Sequence, residues 1–215
     1  MRNWPLFQLR VTTPRLELRI PSLDDLDELA DRAAEGVHEP GFMPFTFPWS
    51  DAAPAERARG TVQFHFGQWA GWSPEKWSCL FVVVDGGQVV GMQELSGTDY
   101  AVTREVATGS WLGRRFQGRG IGTEMRAAVL HLAFDGLGAS QATSGAFADN
   151  HASYAVSRKL GYRDDGIQLH NRLGKAVETR RLRLSRDGWS TPAGFEIHGL
   201  EPCLPLFGAG EDPAG

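Results

Sequence analysis

Apolar and polar positions alternate first at Leu16, Leu18 and Ile20 against Arg15, Glu17 and Arg19, the two-residue period of a strand with one wet face. Pro21-Ser22 ends that strand, and Ser22 is placed to cap a helix. Its hydroxyl suits the free amides of a first turn, Asp24 and Asp25 suit the positive helix end, and Leu23, Leu26 and Ala30 form the apolar stripe. From 36 to 50 no period survives. Pro40, Pro44 and Pro48 interrupt Phe42, Phe45, Phe47 and Trp49, a mixture too apolar for a disordered linker. A packed loop is expected there, either a cover over the core or a wall of a substrate pocket. A second helix is expected over 51–69, with Phe64 and Trp69 facing inward.

Residues 77–84 are almost continuously apolar, Asp85-Gly86-Gly87 is a tight-turn sequence, and 88–95 returns, which together predict a hairpin. A strand over 105–112 follows, then a helix over 121–134 with Ile121, Met125, Val129 and Leu132 on one stripe, then a strand over 141–147. A short helix is expected over 150–160, ended by Gly161, and strands over 162–170 and 176–184 complete the set. This order predicts an α+β (mixed α/β) fold, a mixed central sheet flanked by helices on both faces. One domain is expected over 1–190, with the Gly- and Pro-rich segment 191–215 as a peripheral tail.

Composition narrows the functional classes. The 215 residues, 41% of them apolar, supply one well-filled core. With 22 Lys plus Arg against 26 Asp plus Glu, a formal charge of −4 and a pI near 5.9, there is no global basic field. Neither nucleic acid nor an anionic membrane is therefore expected as a partner. No run approaches the roughly 20 apolar residues of a membrane helix, and 1–10 lacks a signal layout, so a cytoplasmic location is expected. Cys79 and Cys203 are the only cysteines, which predicts two reduced thiols and no metal cluster.

The chemistry is concentrated in Trp111-Leu112-Gly113-Arg114-Arg115-Phe116-Gln117-Gly118-Arg119-Gly120-Ile121-Gly122-Thr123-Glu124, where a strand turns into a helix. Glycines at 118, 120 and 122 remove side chains that would keep an anion from the backbone, and the helix start offers unpaired amides at its positive end. Arg114, Arg115, Arg119 and Arg126 surround this segment. Together they suit a polyphosphate. An ATP or GTP loop needs Lys-Ser/Thr after its last glycine, whereas Arg119-Gly120 follows Gly118 here. A dinucleotide fingerprint fails at Thr123, where it wants a third glycine.

The pattern Arg115-x-x-Gly118-x-Gly120 strongly resembles the pyrophosphate loop of the GCN5-related N-acetyltransferases (GNAT), which bind acyl-coenzyme A. Asn150-x-x-Ser153-x-x-x-Ser157-Arg158-Lys159-Leu160-Gly161-Tyr162 resembles that superfamily's later helix and the strand after it. Thr13-Pro14-Arg15-Leu16, Trp111-Leu112-Gly113 and Thr123-Glu124 resemble the branch that acetylates N-termini of ribosomal proteins. Trp4-Pro5-Leu6-Phe7, Met43-Pro44-Phe45 and Pro48-Trp49 are similar to a mycobacterial succinyltransferase of the same superfamily. The likeness spans about residues 10–185. It implies the GNAT fold, a coenzyme A donor carrying acetyl or succinyl, no metal, and an amine acceptor that is either a protein N-terminus or a small molecule. Cofactor contacts are implied for Trp111, Leu112, Gly113, Arg114, Arg115, Gln117, Gly118, Arg119, Gly120, Ile121, Gly122, Thr123, Asn150, Ser153 and Arg158. Asn150 is expected to be both helix cap and ligand of the pantetheine arm.

Direct attack of an amine on the thioester requires a free amine, a stabilised oxyanion and an outlet for the thiolate. An α-amine of pKa about 8 costs about 1.4 kcal/mol to deprotonate at pH 7, and a lysine near 10.4 about 5 kcal/mol. An N-terminal acceptor therefore needs only a weak base, for which Glu94, Glu105 and His170 are the candidates. A backbone amide near Ser110-Trp111-Leu112 is expected at the oxyanion. Ser153 stands where the ribosomal-protein branch has its serine acid, with Tyr154 adjacent. The superfamily's tyrosine would fall at Ser157, and the branch's glutamate, about 19 residues beyond the serine, is replaced by Arg172. Those two departures motivate an alternative of another class, a coenzyme A-binding sensor or scaffold without catalysis. The aromatic loop and the tail are the candidate surfaces for a homo-oligomer.

Overall fold

The computed structural model describes residues 1–210. Its elements are β1 (Arg10–Thr12), β2 (Leu16–Arg19), α1 (Leu23–Glu35), α2 (Pro54–Ala70), β3 (Lys76–Asp85), β4 (Gln88–Thr98) and a single-turn α3 (Tyr100–Thr103). Then come β5 (Glu105–Leu112), α4 (Ile121–His131), β6 (Gln141–Phe147), α5 (His151–Lys159), β7 (Arg163–Arg172), β8 (Lys175–Ser185) and β9 (Glu196–His198). They build one nine-stranded sheet in the order β7-β8-β6-β5-β4-β3-β2-β1-β9. Helices cover both faces, as the pattern predicts.

Alternation along the strands sorts the core into two layers. On one face Phe81, Val83, Val90, Leu95, Val106 and Leu112 pack with Ile121, Met125, Ala128, Val129 and Leu132 of the α4 segment. On the other, Leu80, Val82, Val89, Met92 and Trp111 pack with Leu29 and Ala33 of α1. Helix α1 starts as expected: Ser22 accepts from the Asp25 amide and Asp25 accepts from the Ser22 amide, a reciprocal capping box. Asp25 also takes two N–H bonds from Arg19, at 2.7 and 3.1 Å.

The sheet forks. Every neighbouring pair is antiparallel except β5 and β6, which run parallel and pair only at Glu105↔Gln141, Val106↔Ala142 and Ala107↔Thr143. Beyond Ala107, β5 stays with β4 as far as Leu112 and β6 stays with β8 as far as Phe147. Each arm follows its antiparallel partner, and the two separate.

Several expectations are corrected. The segment after Thr191 is no peripheral tail: Ile197 pairs with Val11 in β9, and Cys203 and Phe207 are fully buried. The indole N–H groups of Trp72 and Trp77 donate to the Leu206 and Phe207 carbonyls at 2.8 and 3.1 Å. The domain therefore extends past residue 190 to at least Ala209; the part of that expectation covering 211–215 lies outside the described residues. In α2 the inward face is shifted by one position, so Phe64 is exposed while His65 is buried with its ring nitrogen on the Thr61 carbonyl. Leu23, expected on the α1 stripe, is also exposed. The third long helix ends at His131 and passes into a π-type turn, Leu132–Gly136. Among the described residues no helix is long and apolar enough to cross a membrane, and no group of three or more His, Cys, Asp or Glu is arranged to hold a metal ion.

Candidate active site

The glycine-rich segment leaves β5 at Leu112, makes one tight turn at Arg114–Phe116 and enters α4. Phe116 and Ile121 are buried on either side of it, which fixes both ends. Gly118 and Gly120 have φ of +74° and +81°, values that favour glycine. A Cβ at Gly118 would meet nothing within 4 Å, and one at Gly120 only the Arg15 guanidinium at 3.9 Å. These two glycines therefore serve the turn of the backbone and leave its outer face bare. Gly122 differs, with a negative φ and ordinary contacts to Val156 and Leu112.

The amides of Thr123 and Glu124 both donate to the Gly120 carbonyl, at 3.1 and 3.2 Å. Among the described residues those of Gly118, Arg119, Gly120, Ile121 and Gly122 have no protein acceptor. Five successive donors thus lie unpartnered where the chain enters the positive end of α4, with open space at Gly118 and Gly120, which fits a diphosphate. One carboxylate, Glu124, stands in that first turn, and Arg15 neutralises it. Arg15 donates twice to Glu124 Oε2, at 2.7 and 3.1 Å, and once to the Arg119 carbonyl at 3.1 Å. Thr13 Oγ1 donates to Glu124 Oε1 at 2.6 Å. In the sequence these residues mark only a likeness; the structure makes them a brace for the loop.

Other residues of the segment act through packing. Trp111 and Leu112 are buried, so only their main chain can face a ligand. The Gly113 amide goes to the Val90 carbonyl at 2.9 Å, and Gln117 Nε2 donates to the Val37 and Leu112 carbonyls at 2.8 and 2.9 Å. Arg114 pairs with Glu39 at 3.2 Å, and Arg115 pairs with Glu35 at 3.6 Å while lying over Phe116. Arg119 lies over the same ring at 5.9 Å and has no carboxylate partner among the described residues. Arg126, grouped with these from the sequence, is buried behind the loop instead.

The fork opens beside this cradle. Because the Gly113 amide reaches Val90 on β4, antiparallel alternation turns the N–H groups of Leu112 and Ser110 the opposite way, into the gap. Glu94 lies opposite Leu80 and Gly109 in the pairing, hence on the α1 face with Trp111. A Cβ at Gly109 would stand 2.7 Å from Glu94 Oε2, so the missing side chain lets the carboxylate lie over the unpaired half of β5. Ser78 Oγ donates to Glu94 Oε1 at 2.6 Å. On the same face the aromatic loop folds inward: Phe45 meets Trp49 at 5.2 Å and Trp49 meets Trp111 at 5.6 Å between ring centroids. A groove of about 420 Å³ continues over the sheet, lined among others by Pro44, Thr46, Ala107, Thr143, Phe147 and His170. The loop is thus a pocket wall as well as a cover.

Helix α5 forms the other lip. Asn150 Oδ1 accepts from the Ser153 amide at 3.1 Å, a helix cap, and Ser153 is half-buried. Tyr154 is engaged elsewhere, its hydroxyl on Asp164 at 3.1 Å and its ring under Arg180. Ser157 is fully buried; it donates to the Ser153 carbonyl at 3.2 Å and accepts from Arg126 at 2.7 Å. Arg158 donates to the Tyr162 carbonyl at 2.9 Å. Burial holds the Arg126 guanidinium below its ordinary pKa and pushes the Tyr162 hydroxyl up.

Two predicted groups have partners of their own. Glu105 lines the groove at the closed end of the fork, away from the cradle, and is ion-paired with Arg183. Arg172 holds Asp149 through two bonds of 2.9 and 2.7 Å, lies over Phe147, and donates to the Met43 carbonyl at 3.2 Å. It latches the aromatic loop to the start of α5.

Comparison with known proteins agrees with this geometry. Residues 15–163 match the family model described as the acetyltransferase (GNAT) domain. Among solved structures, a GCN5-related N-acetyltransferase from Brucella melitensis superposes with a TM-score of 0.68 at 21% identity, covering 88% of this chain and 86% of that one. Mycobacterium smegmatis RimJ, in complex with a CoA-disulfide, gives 0.65 at 17% identity over 85% and 90%. RimL, a ribosomal L7/L12 alpha-N-protein acetyltransferase in complex with coenzyme A, gives 0.61 at 17% over 82% and 97%. With the glycine cradle, the forked sheet and the capped helix all inside or bordering the matched segment, the chain belongs to the GNAT acetyltransferase family, whose acyl donor is acyl-coenzyme A.

Proposed function

We propose that the protein transfers an acetyl group from acetyl-coenzyme A to a primary amine by direct attack on the thioester. The observation that carries this reading is the set of five unpartnered amides over the bare faces of Gly118 and Gly120, at the mouth of the fork. The diphosphate would take those amides, with Arg119 as the nearest unpaired cation. The side-chain Nδ2 of Asn150, whose main-chain N–H is given to the Phe147 carbonyl, would hold the pantetheine arm. The Ser110 amide, turned into the gap, would meet the oxyanion, a donor that needs no reorganisation during the reaction.

Glu94 is the base of this reading. It is half-buried, lies on the groove side of the sheet and is oriented by Ser78. Glu105 is tied to Arg183 and His170 is turned edge-on to Phe147, which favours Glu94 over both. One carboxylate with no second base beside it suits an acceptor already partly neutral at pH 7, namely a protein N-terminal α-amine. Ser153 stands at the lip of the fork as the hydroxyl for the leaving side; Tyr154 is held by Asp164. Acetyl is favoured over succinyl because the cations at the groove already hold carboxylates, Arg181 that of Asp165, Arg183 those of Glu105 and Asp165, and Arg172 beside Phe147 that of Asp149. A cytoplasmic site of action fits this donor.

The test is a screen of acetyl- and succinyl-coenzyme A against peptides with free N-termini, lysine peptides and small amines, read by thiol release. Fastest release with acetyl-coenzyme A and a free N-terminus supports the reading. Tight coenzyme A binding with no thiol release for any pair would replace it with a sensor or scaffold.

A further inference from the structure

Arg126 on α4 joins β5, one arm of the fork, to helix α5 at its other lip. Its Nη1 donates to Ser157 Oγ on α5 at 2.7 Å and its Nη2 to Ser110 Oγ on β5 at 3.3 Å. The side chain is almost wholly withdrawn from solvent, and its Nε has no acceptor. Arg19 and Arg172, also partly withdrawn, each hold a carboxylate; among the described residues Arg126 holds none. The titratable group facing it is Tyr162, whose hydroxyl lies 3.4 Å from Thr108 Oγ1 and is kept protonated by burial. Two serine hydroxyls and a neutral phenol do not balance a buried guanidinium.

The missing negative charge has a natural source, on the acyltransferase reading above. When the amine nitrogen attacks the thioester carbonyl, the C–N bond forms and the C–S bond breaks. The sulfur leaves with the electron pair as thiolate, and the amine's proton passes to Glu94 or water. The sulfur is expected between β5 and α5, the two elements that Arg126 joins. Because Ser110 Oγ accepts from Arg126, its own proton is left to donate into the gap.

We infer that Arg126 is the counter-charge of the coenzyme A thiolate, a positioning residue acting through the Ser110 hydroxyl that it holds and polarises. This accounts for a fork in which the position of the family's tyrosine is taken by Ser157, a residue whose hydroxyl is already committed to the Ser153 carbonyl.

The decisive measurement is the ultraviolet thiolate absorbance of coenzyme A bound to the whole protein, titrated with pH. The bound thiol is expected to ionise about one pH unit or more below the free coenzyme. Arg126→Gln and Ser110→Ala should return it toward the free value, and Arg126→Lys should keep part of the shift. Calorimetric affinity for acetyl-coenzyme A, which has no thiol, should stay within about threefold in all three, while kcat falls with little change in KM for the donor. A wild-type bound thiol titrating like the free one overturns the inference, even if every variant fails to fold. A change in the preference for succinyl- over acetyl-coenzyme A in Arg126→Gln, with the thiol titration unmoved, assigns the cation to an acyl carboxylate and also overturns it. Absence of any coenzyme A binding removes the acyltransferase reading itself, a result the calorimetry shows separately.

Discussion

Arg15 and Glu124, 109 positions apart, meet at the first turn of α4, where Arg15 places two N–H groups on one carboxylate oxygen. The pair decides the local charge of the cradle. Without Arg15, Glu124 would set a full negative charge beside the amides offered to a diphosphate. Arg15→Ala is therefore expected to weaken coenzyme A binding by about tenfold, or about 1.4 kcal/mol. The pair is partly exposed, so its loss should cost no more than about 1 kcal/mol of stability. The double variant Arg15→Ala/Glu124→Gln should recover part of the affinity. Calorimetry on the four proteins of that cycle checks it, and additive losses would refute the electrostatic account.

Gly120 has a backbone that side chains rarely adopt and an outer face that only Arg15 approaches. Gly120→Val should cost about 1–2 kcal/mol of stability from the positive φ. It should reduce coenzyme A affinity much further, by about 100-fold, because the added carbons occupy the diphosphate's approach. Gly122→Ala, at a negative φ with ordinary contacts, should be mild in stability. Denaturation curves and calorimetry on both variants separate strain from obstruction.

Glu94 and Glu105 should behave as different kinds of residue. Glu94→Gln is expected to lower kcat by about 100-fold with little change in KM for the donor, the range of a lost general base. Glu105→Gln breaks the contact with Arg183 at the closed end of the fork. Its effect should fall on stability, with kcat changed by less than about threefold. Steady-state kinetics beside thermal melts distinguish them, and equal losses of turnover would remove Glu94 as the base.

The local parts of the site were legible in the sequence, and the parts made by strand pairing were not. The glycine loop and the Asn150 cap are written in consecutive residues, whereas the fork exists because β6 leaves β5 after Thr143 to follow β8. Arg126 follows the same glycine segment as Arg114, Arg115 and Arg119 yet lies in the core, because Ala127, Ala128, Val129, Leu130 and Leu132 make the surrounding helix apolar all round and so a buried one. The Gly and Pro content of the segment after Thr191 suggests a tail, and its packing is hidden from the pattern. Its anchors, Ile197, Cys203 and Phe207, follow no helical or strand period because they lie in a three-residue strand and a run of tight turns.

The latch on the aromatic loop should respond to acid. The hydrogen bonds from Arg172 hold the Asp149 carboxyl below its ordinary pKa. A carboxylate with a depressed folded pKa contributes its full stabilisation above the unfolded value, about 3.9, and loses it as pH falls through the folded value. Exchange of the amides near Met43 should therefore be flat from neutral pH to about pH 4, after correction for intrinsic rates, and rise below it. Asp149→Asn should show the faster exchange already at pH 6. Hydrogen-exchange mass spectrometry across that range checks the sign; protection that improves on acidification would refute the latch.

Phe207 tests whether the last described segment belongs to the core. Its ring is fully buried, stands 4.8 Å from Trp77 and 5.4 Å from Trp72, and its carbonyl accepts from Trp77. Phe207→Ala removes a fully buried aromatic ring, a change that costs about 3–5 kcal/mol where the cavity does not collapse. Indole fluorescence from Trp72 and Trp77 should shift toward that of solvated tryptophan at lower denaturant in this variant than in wild type. The cradle lies on other elements, so coenzyme A affinity measured in the folded range should be retained. A variant as stable as wild type would show that the segment docks without supporting the sheet, and would restore the boundary near residue 190.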